Sequence, residues 1–147
     1  MAIIRRATAN WKGTGKEGSG TVNTTSGVLK DTPHSFMTRF VSEDGKAGTN
    51  PEELIAAAHA SCFTMKLSFV LNAAGHTAKD LECTAEVKMD KVGDGMGVVG
   101  IHLVLSGKVP GMEEAAFQQA AEEAKENCPI SQLLRSVPIT LTATLSA

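Results

Sequence analysis

The chain has no tyrosine, one tryptophan and only 4% aromatic residues in 147 positions. Its lysines and arginines are scattered, and the net charge is -2. Nucleic-acid binding is therefore not expected, because phosphate contacts need clustered cations and single strands need stacking rings. There is no C-x-x-C pair among the three cysteines, and a zinc site needs four ligands; His59, Cys62 and Cys128 supply three. No metal or organic cofactor is expected. The N-terminal stretch MAIIRRATANW carries no long apolar run behind its charges, so it does not read as a signal peptide and a cytoplasmic location is expected. In a reducing compartment, a pairing among Cys62, Cys83 and Cys128 would be redox chemistry rather than a structural staple.

What is present is an ordinary globular composition, 42% apolar and 20% charged, in a length that suits one compact domain over residues 1–147. RATANWKG and GTVNTTSG read as short strands around a glycine-rich turn. Gly13, Gly15, Gly18 and Gly20 lack the Lys-Ser/Thr of a phosphate loop. HSFMTRFVS alternates and predicts a third strand, with Phe36, Thr38 and Phe40 on one face and Arg39 on the other.

TNPEELIAAA opens a long helix. Thr49 or Asn50 can cap it, Pro51 suits its first position, Glu52 and Glu53 favour its positive end, and Gly75 closes it. The segment LIAAAHASCFTMKLSFVLNAA nearly has the length of a bilayer span, but His59, Lys66 and Asn72 interrupt it, and no membrane association is expected. A soluble helix apolar nearly all round must be covered on every side. One sheet covers one side, so another helix or a second subunit is expected on the rest.

DLECTAEVKMD and VVGIHLVLSGKV alternate as a hairpin around GDGMG. Leu81, Cys83, Ala85, Val87 and Met89 face inward on the first strand, and Val99, Ile101, Leu103 and Leu105 on the second. A second helix covers 112–127, CPISQLLR begins a short helical turn, and VPITLTATLS is a last strand with its threonines outward. The order βββ-α-ββ-α-β with hairpin turns implies an α+β fold with antiparallel sheet.

The cysteines differ in setting. Cys83 sits on the apolar face of a strand and reads as a small hydrophobe. Cys128 ends one helix and precedes Pro129, so its position near a helix start favours a thiolate. Cys62 lies mid-helix, with His59 three residues before it and Lys66 four after. It fills a core or does chemistry; periodicity alone does not decide. His59 either bonds inside the core or tunes Cys62. A cysteine hydrolase would need a third residue to orient a His59–Cys62 pair, and none is apparent.

Two segments, GTNPEELIAAAHASCF at 48–63 and NCPISQLL at 127–134, resemble the two cysteine motifs of the OsmC/Ohr family, the osmotically inducible protein C and organic hydroperoxide resistance proteins. GSGTVNTTSGVL and FMTRF resemble its OsmC branch. The resemblance extends over essentially the whole chain. It implies an intertwined homodimer with two sheets wrapped around central helices, and a thiol peroxidase acting on organic hydroperoxides. On it, Cys62 matches the peroxidatic cysteine, Cys128 the resolving cysteine, Arg39 the arginine of this branch and Glu52 its glutamate. A disulfide between Cys62 and Cys128, reset by an external dithiol, belongs to the same implication. A non-catalytic stress-related binding protein on the same fold is the alternative; it would have no need of both cysteines.

With Cys62 buried in mid-helix and far from a helix N-terminus, a cation is required to hold its thiolate, and Arg39 oriented by Glu52 is the candidate. Glu52 precedes Cys62 by ten residues, roughly 15 Å of helix rise. If both serve one site, either Glu52 comes from the partner subunit or the helix is kinked; the partner subunit is expected. The substrate pocket is expected to include Leu54, Phe63, Met65 and Phe69 by helical proximity, with Phe36 or Phe40 from the third strand. Such apolar walls favour an alkyl hydroperoxide over hydrogen peroxide.

Overall fold

The computed structural model describes residues 1–146 and divides the chain into two compact units, 1–54 and 55 onward. The first unit holds a three-stranded antiparallel sheet: β1 (Ala7–Ala9), β2 (Ser19–Thr24) and β3 (Thr32–Ser35), in that order. Asn10 ties the sheet's edge to β2. Its side chain donates to the Thr21 hydroxyl and accepts from the Thr21 N–H.

The third strand is shorter than alternation predicts. It stops at Ser35, and residues Phe36–Phe40 form a helix, α1. The cause is a capping box. The Ser35 hydroxyl accepts from the Thr38 N–H at 3.1 Å, and the Thr38 hydroxyl accepts from the Ser35 N–H at 2.9 Å. The Thr38 hydroxyl also lies 3.0 Å from the Thr49 carbonyl, to which it can donate, and both threonines are buried. The change of element changes who faces whom. Phe36 and Phe40 remain on one side, now as an i,i+4 pair with ring centroids 4.8 Å apart. Arg39, opposite them on a strand, instead lays its guanidinium over the Phe40 ring at 5.0 Å.

The long helix α2 runs from Pro51 to Ala73. Asn50 is its cap, accepting from the Glu53 N–H at 2.8 Å, while the Thr49 hydroxyl donates to the Glu53 carboxylate at 2.7 Å. It ends at Gly75, whose φ of +81° suits a residue without a Cβ. By length and composition α2 could cross a membrane. Its buried residues His59, Phe63, Leu67 and Leu71 form a single stripe at four-residue spacing within the core of the second unit.

That unit's sheet has the order β4-β5-β6: β4 (Asp80–Val92), β5 (Gly95–Lys108) and β6 (Ile139–Ser146). β4 and β5 form a hairpin with a two-residue Gly93–Asp94 turn, Gly93 taking φ +59°. The register slips between Lys88 and Met89, so the inward row Ile101, Leu103, Leu105 does not extend cleanly through Val99. β6 joins β5 in parallel, not antiparallel as alternation suggested, because α3 (Glu114–Asn127) and α4 (Pro129–Leu133) carry the chain back across the sheet. Inward residues of all three strands form one cluster with Phe63, Leu67 and Leu71 of α2 and Phe117, Ala121 and Ala124 of α3. Gly107 of β5 packs so close to the Phe117 ring that a side chain there would overlap it.

Candidate active site

The sequence-predicted site residues fall into two groups. In the first unit, Arg39 in the last turn of α1 grips Glu52 in the first turn of α2 at two points. Its Nε donates to Oε2 at 3.1 Å and its Nη2 to Oε1 at 2.7 Å. The paired fork fixes the plane of the guanidinium and leaves its remaining N–H groups free for an oxygen or sulfur anion. Beside it a groove of about 290 Å³ is lined by Trp11, His34, Phe36, Arg39 and Phe40. Trp11 and His34 are held in place by their ring nitrogens, the first donating to the Thr14 carbonyl at 3.1 Å and the second bonded to the Asn10 carbonyl at 2.9 Å. Leu54, on α2, is half-buried.

In the second unit, Cys62 and Cys128 meet. Cys128 is fully buried at the junction of α3 and α4, where it is the C-cap of one helix and the N-cap of the next. Cys62 is half-buried, and the two thiols interact directly. Burial pushes the Cys62 thiol pKa up, the bond to Cys128 pushes it further, and a hydrogen bond from the Ile130 backbone N–H pulls it back part of the way. The net direction is upward, so Cys62 by itself is a poor thiolate.

The Ile130 contact corrects one expectation. Cys62 does receive an amide from the start of a helix, the first turn of α4, although it stands in the middle of its own. Cys128, for which that help was expected, makes no side-chain capping bond. Sequence reasoning placed Pro129 at the head of the turn but could not say which sulfur its amides would face.

Met65 and Phe69 follow Cys62 at i+3 and i+7 and are 62% and 66% exposed, so an uncovered apolar strip runs along α2 beside the cysteine. Phe63 differs: it is fully buried in the core stripe and offers no wall to a pocket. Cys83 lies half-buried in the core with its pKa pushed up to about 11 by burial, an inert thiol. His59, also fully buried, bonds through Nε2 to the Ser131 hydroxyl at 2.7 Å. Ser131 was not singled out from the sequence. Among the described residues no cluster of His, Cys, Asp and Glu could hold a metal ion.

Residues 43–142 match the family model described as OsmC-like protein. The chain belongs to the OsmC-like family. It is 46% identical over 136 residues to Peroxiredoxin OsmC of Escherichia coli K12, covering 92% of this chain and 93% of that one. It is 37% identical over 103 residues to an organic hydroperoxide resistance protein of Xanthomonas axonopodis pv. citri, covering 67% and 68%. Among solved structures, the organic hydroperoxide resistance protein OhrB of Bacillus subtilis superposes with a TM-score of 0.73 at 26% identity, covering 97% and 98%. An OsmC-like protein of Mycoplasma pneumoniae, at 15% identity and a TM-score of 0.76 over the full length of both chains, shares the fold.

Proposed function

We propose that this protein is a cysteine-based thiol peroxidase that reduces organic hydroperoxides, and hydrogen peroxide less readily, in a reducing cytoplasm. Peroxidase-type activity is what the names of its OsmC and organic hydroperoxide resistance relatives share. The observation that carries the finer reading is the direct interaction of Cys62 with Cys128. The Cys62 thiolate attacks one peroxide oxygen. The O–O bond breaks, an S–O bond forms, and the alkoxide leaves with a proton as alcohol. The Cys128 thiolate then attacks the resulting sulfenic acid, releasing water and closing a disulfide. An external dithiol reduces that disulfide by two exchange steps and is itself oxidised.

Burial and Cys128 both oppose the Cys62 thiolate, so a cation must offset them. The Arg39–Glu52 pair has the chemistry for it. Glu52 stands ten residues before Cys62 on one unbroken helix, about 15 Å of rise. The pair therefore serves the Cys62 of a second copy, in a homodimer whose interface covers Met65 and Phe69. Phe36, Phe40 and Leu54 then supply further apolar walls for the substrate's carbon skeleton. Each copy contributes one OsmC-like domain.

The test is a free-thiol count on denatured protein, before and after one equivalent of an organic hydroperoxide. Three thiols falling to one, with loss confined to Cys62 and Cys128, is the expected result. Three thiols remaining in a folded protein would refute the proposal and favour a binding protein without redox chemistry.

A further inference from the structure

His59 and Ser131 are a buried polar pair that the peroxidase chemistry does not use. Both lie in the core of the second unit, His59 fully covered and Ser131 nearly so. Polar groups buried that deeply are stable only when partnered, and each is the other's partner at 2.7 Å. His59 Nδ1 has no partner among the described residues. Burial pushes the His59 pKa down, which favours the neutral ring, and Nε2 can bond the Ser131 hydroxyl in either neutral tautomer.

The placement of the pair is specific. His59 and Cys62 are three apart on α2 and share a face; Cys128 and Ser131 are three apart across the first turn of α4. Cys62 meets Cys128, and His59 meets Ser131. The two helices thus face each other in opposite sense through two matched pairs, one of thiols and one of polar groups. α4 has five residues and no side-chain cap bond. A helix that short does not hold itself. Its seat on α2 must come from tertiary contacts.

We infer that the His59–Ser131 hydrogen bond is the clasp that seats α4 on α2, so that Cys128 and the Ile130 N–H stand at the Cys62 sulfur. His59 and Ser131 are positioning residues for disulfide closure. The importance of the clasp rests on the two-thiol reading, but its test needs no peroxide.

Reduced protein is treated with an aromatic disulfide. Cys62 displaces one aryl thiolate to form a mixed disulfide, and Cys128 closes the protein disulfide by displacing the second, whose release gives a first-order closure rate. The Cys62–Cys128 disulfide is also equilibrated against glutathione. Ser131→Ala, which removes a single oxygen, is expected to slow closure about ten-fold and to make the disulfide easier to reduce by a similar factor. Ser131→Thr, which keeps the hydroxyl, is expected to restore most of both. His59→Gln, which keeps a polar group near the Nε2 position, is expected to fall between. Closure and equilibrium within about two-fold of the native protein in folded Ser131→Ala would overturn the inference. So would a loss that Ser131→Thr fails to restore and that tracks melting temperature alone. A protein that closes its disulfide under the clasp's control yet ignores hydroperoxides would sink the peroxidase proposal and leave the clasp standing.

Discussion

The two units carry different kinds of candidate group. The first holds a permanent cation, Arg39, fixed by two bonds to Glu52 and set beside an aromatic-lined groove. The second holds Cys62 and Cys128 as neighbours, with burial opposing a thiolate at Cys62. On the proposed function, one unit supplies electrostatics and a binding surface without a nucleophile, and the other supplies a nucleophile and its resolving partner. What separates the two kinds of region is tolerance of water. A guanidinium stays charged wherever it sits, so it can stand partly exposed on a short helix. The thiols sit in the core of the second unit, Cys128 fully buried and Cys62 half-buried.

The sharpest way to break this division is at the nucleophile. Cys62→Ser is expected to abolish hydroperoxide consumption. Cys128→Ser is expected to leave one turnover per site and a sulfenic acid trappable by dimedone, with dithiol-driven cycling lost. If Cys128→Ser cycles as well as the native protein, the second unit's thiols are not a redox pair.

Next in size is the cation. Arg39→Ala is expected to lower kcat/KM for an organic hydroperoxide about 100-fold and Glu52→Gln about ten-fold, since one removes the charge and the other only its orientation. The sign for pH follows from the Cys62 pKa, already raised by burial and by Cys128. Without Arg39 it rises further, so the alkylation profile of the Cys62 peptide, read by mass spectrometry, should move to higher pH. A profile unchanged by Arg39→Ala would mean that the first unit does not serve the thiolate.

These expectations rest on parts of the molecule that were unequally legible in the sequence. The hairpin of β4 and β5 and the inward row of β6 could be read from strict alternation, because each strand has one face in the core. The start of α2 was equally plain in Asn50, Pro51 and Glu53. Val99 at the register slip and the parallel pairing of β6 were not, and neither were two features nearer the candidate site. Alternation of large residues through Phe36 and Phe40 suits a strand as well as an i,i+4 helical pair; what decides is the Ser35–Thr38 box, in which threonine replaces the usual Glu or Gln and so hides the signal. The facing of α4 toward α2 depends on tertiary packing, so neither the Ile130 amide at Cys62 nor the His59–Ser131 bond could be read from local spacing. The family resemblance pointed to both cysteines, where local chemistry favoured only Cys128.

Smaller effects separate the units by stability. Gly107→Val drives a side chain into the Phe117 ring and is expected to cost the second unit about 1–3 kcal/mol, seen as a lower melting temperature. Ser35→Ala removes the α1 cap and is expected to cost about 1 kcal/mol in the first unit, with Arg39 losing its place and peroxide reduction falling while Cys62–Cys128 closure by an aromatic disulfide stays native. Equal loss of closure in both variants would contradict the division. Smallest is an acid effect. His59 has a folded pKa below its ordinary 6.5, so its contribution is full above 6.5 and is lost as pH falls from there toward the folded value. His59→Gln should flatten that part of the stability profile in denaturant titrations.

The central claim is that the two halves are joined between copies of the chain, and mixed dimers test it most directly. Cys62→Ser and Glu52→Gln chains are unfolded together and refolded, and hydroperoxide reduction is compared with each variant refolded alone. If Glu52 serves the partner's Cys62, each mixed dimer regains one intact site, and activity rises well above that of either parent. If every chain completes its own site, no mixed dimer has an intact one. Activity then stays at the mean of the parents, and the account is wrong.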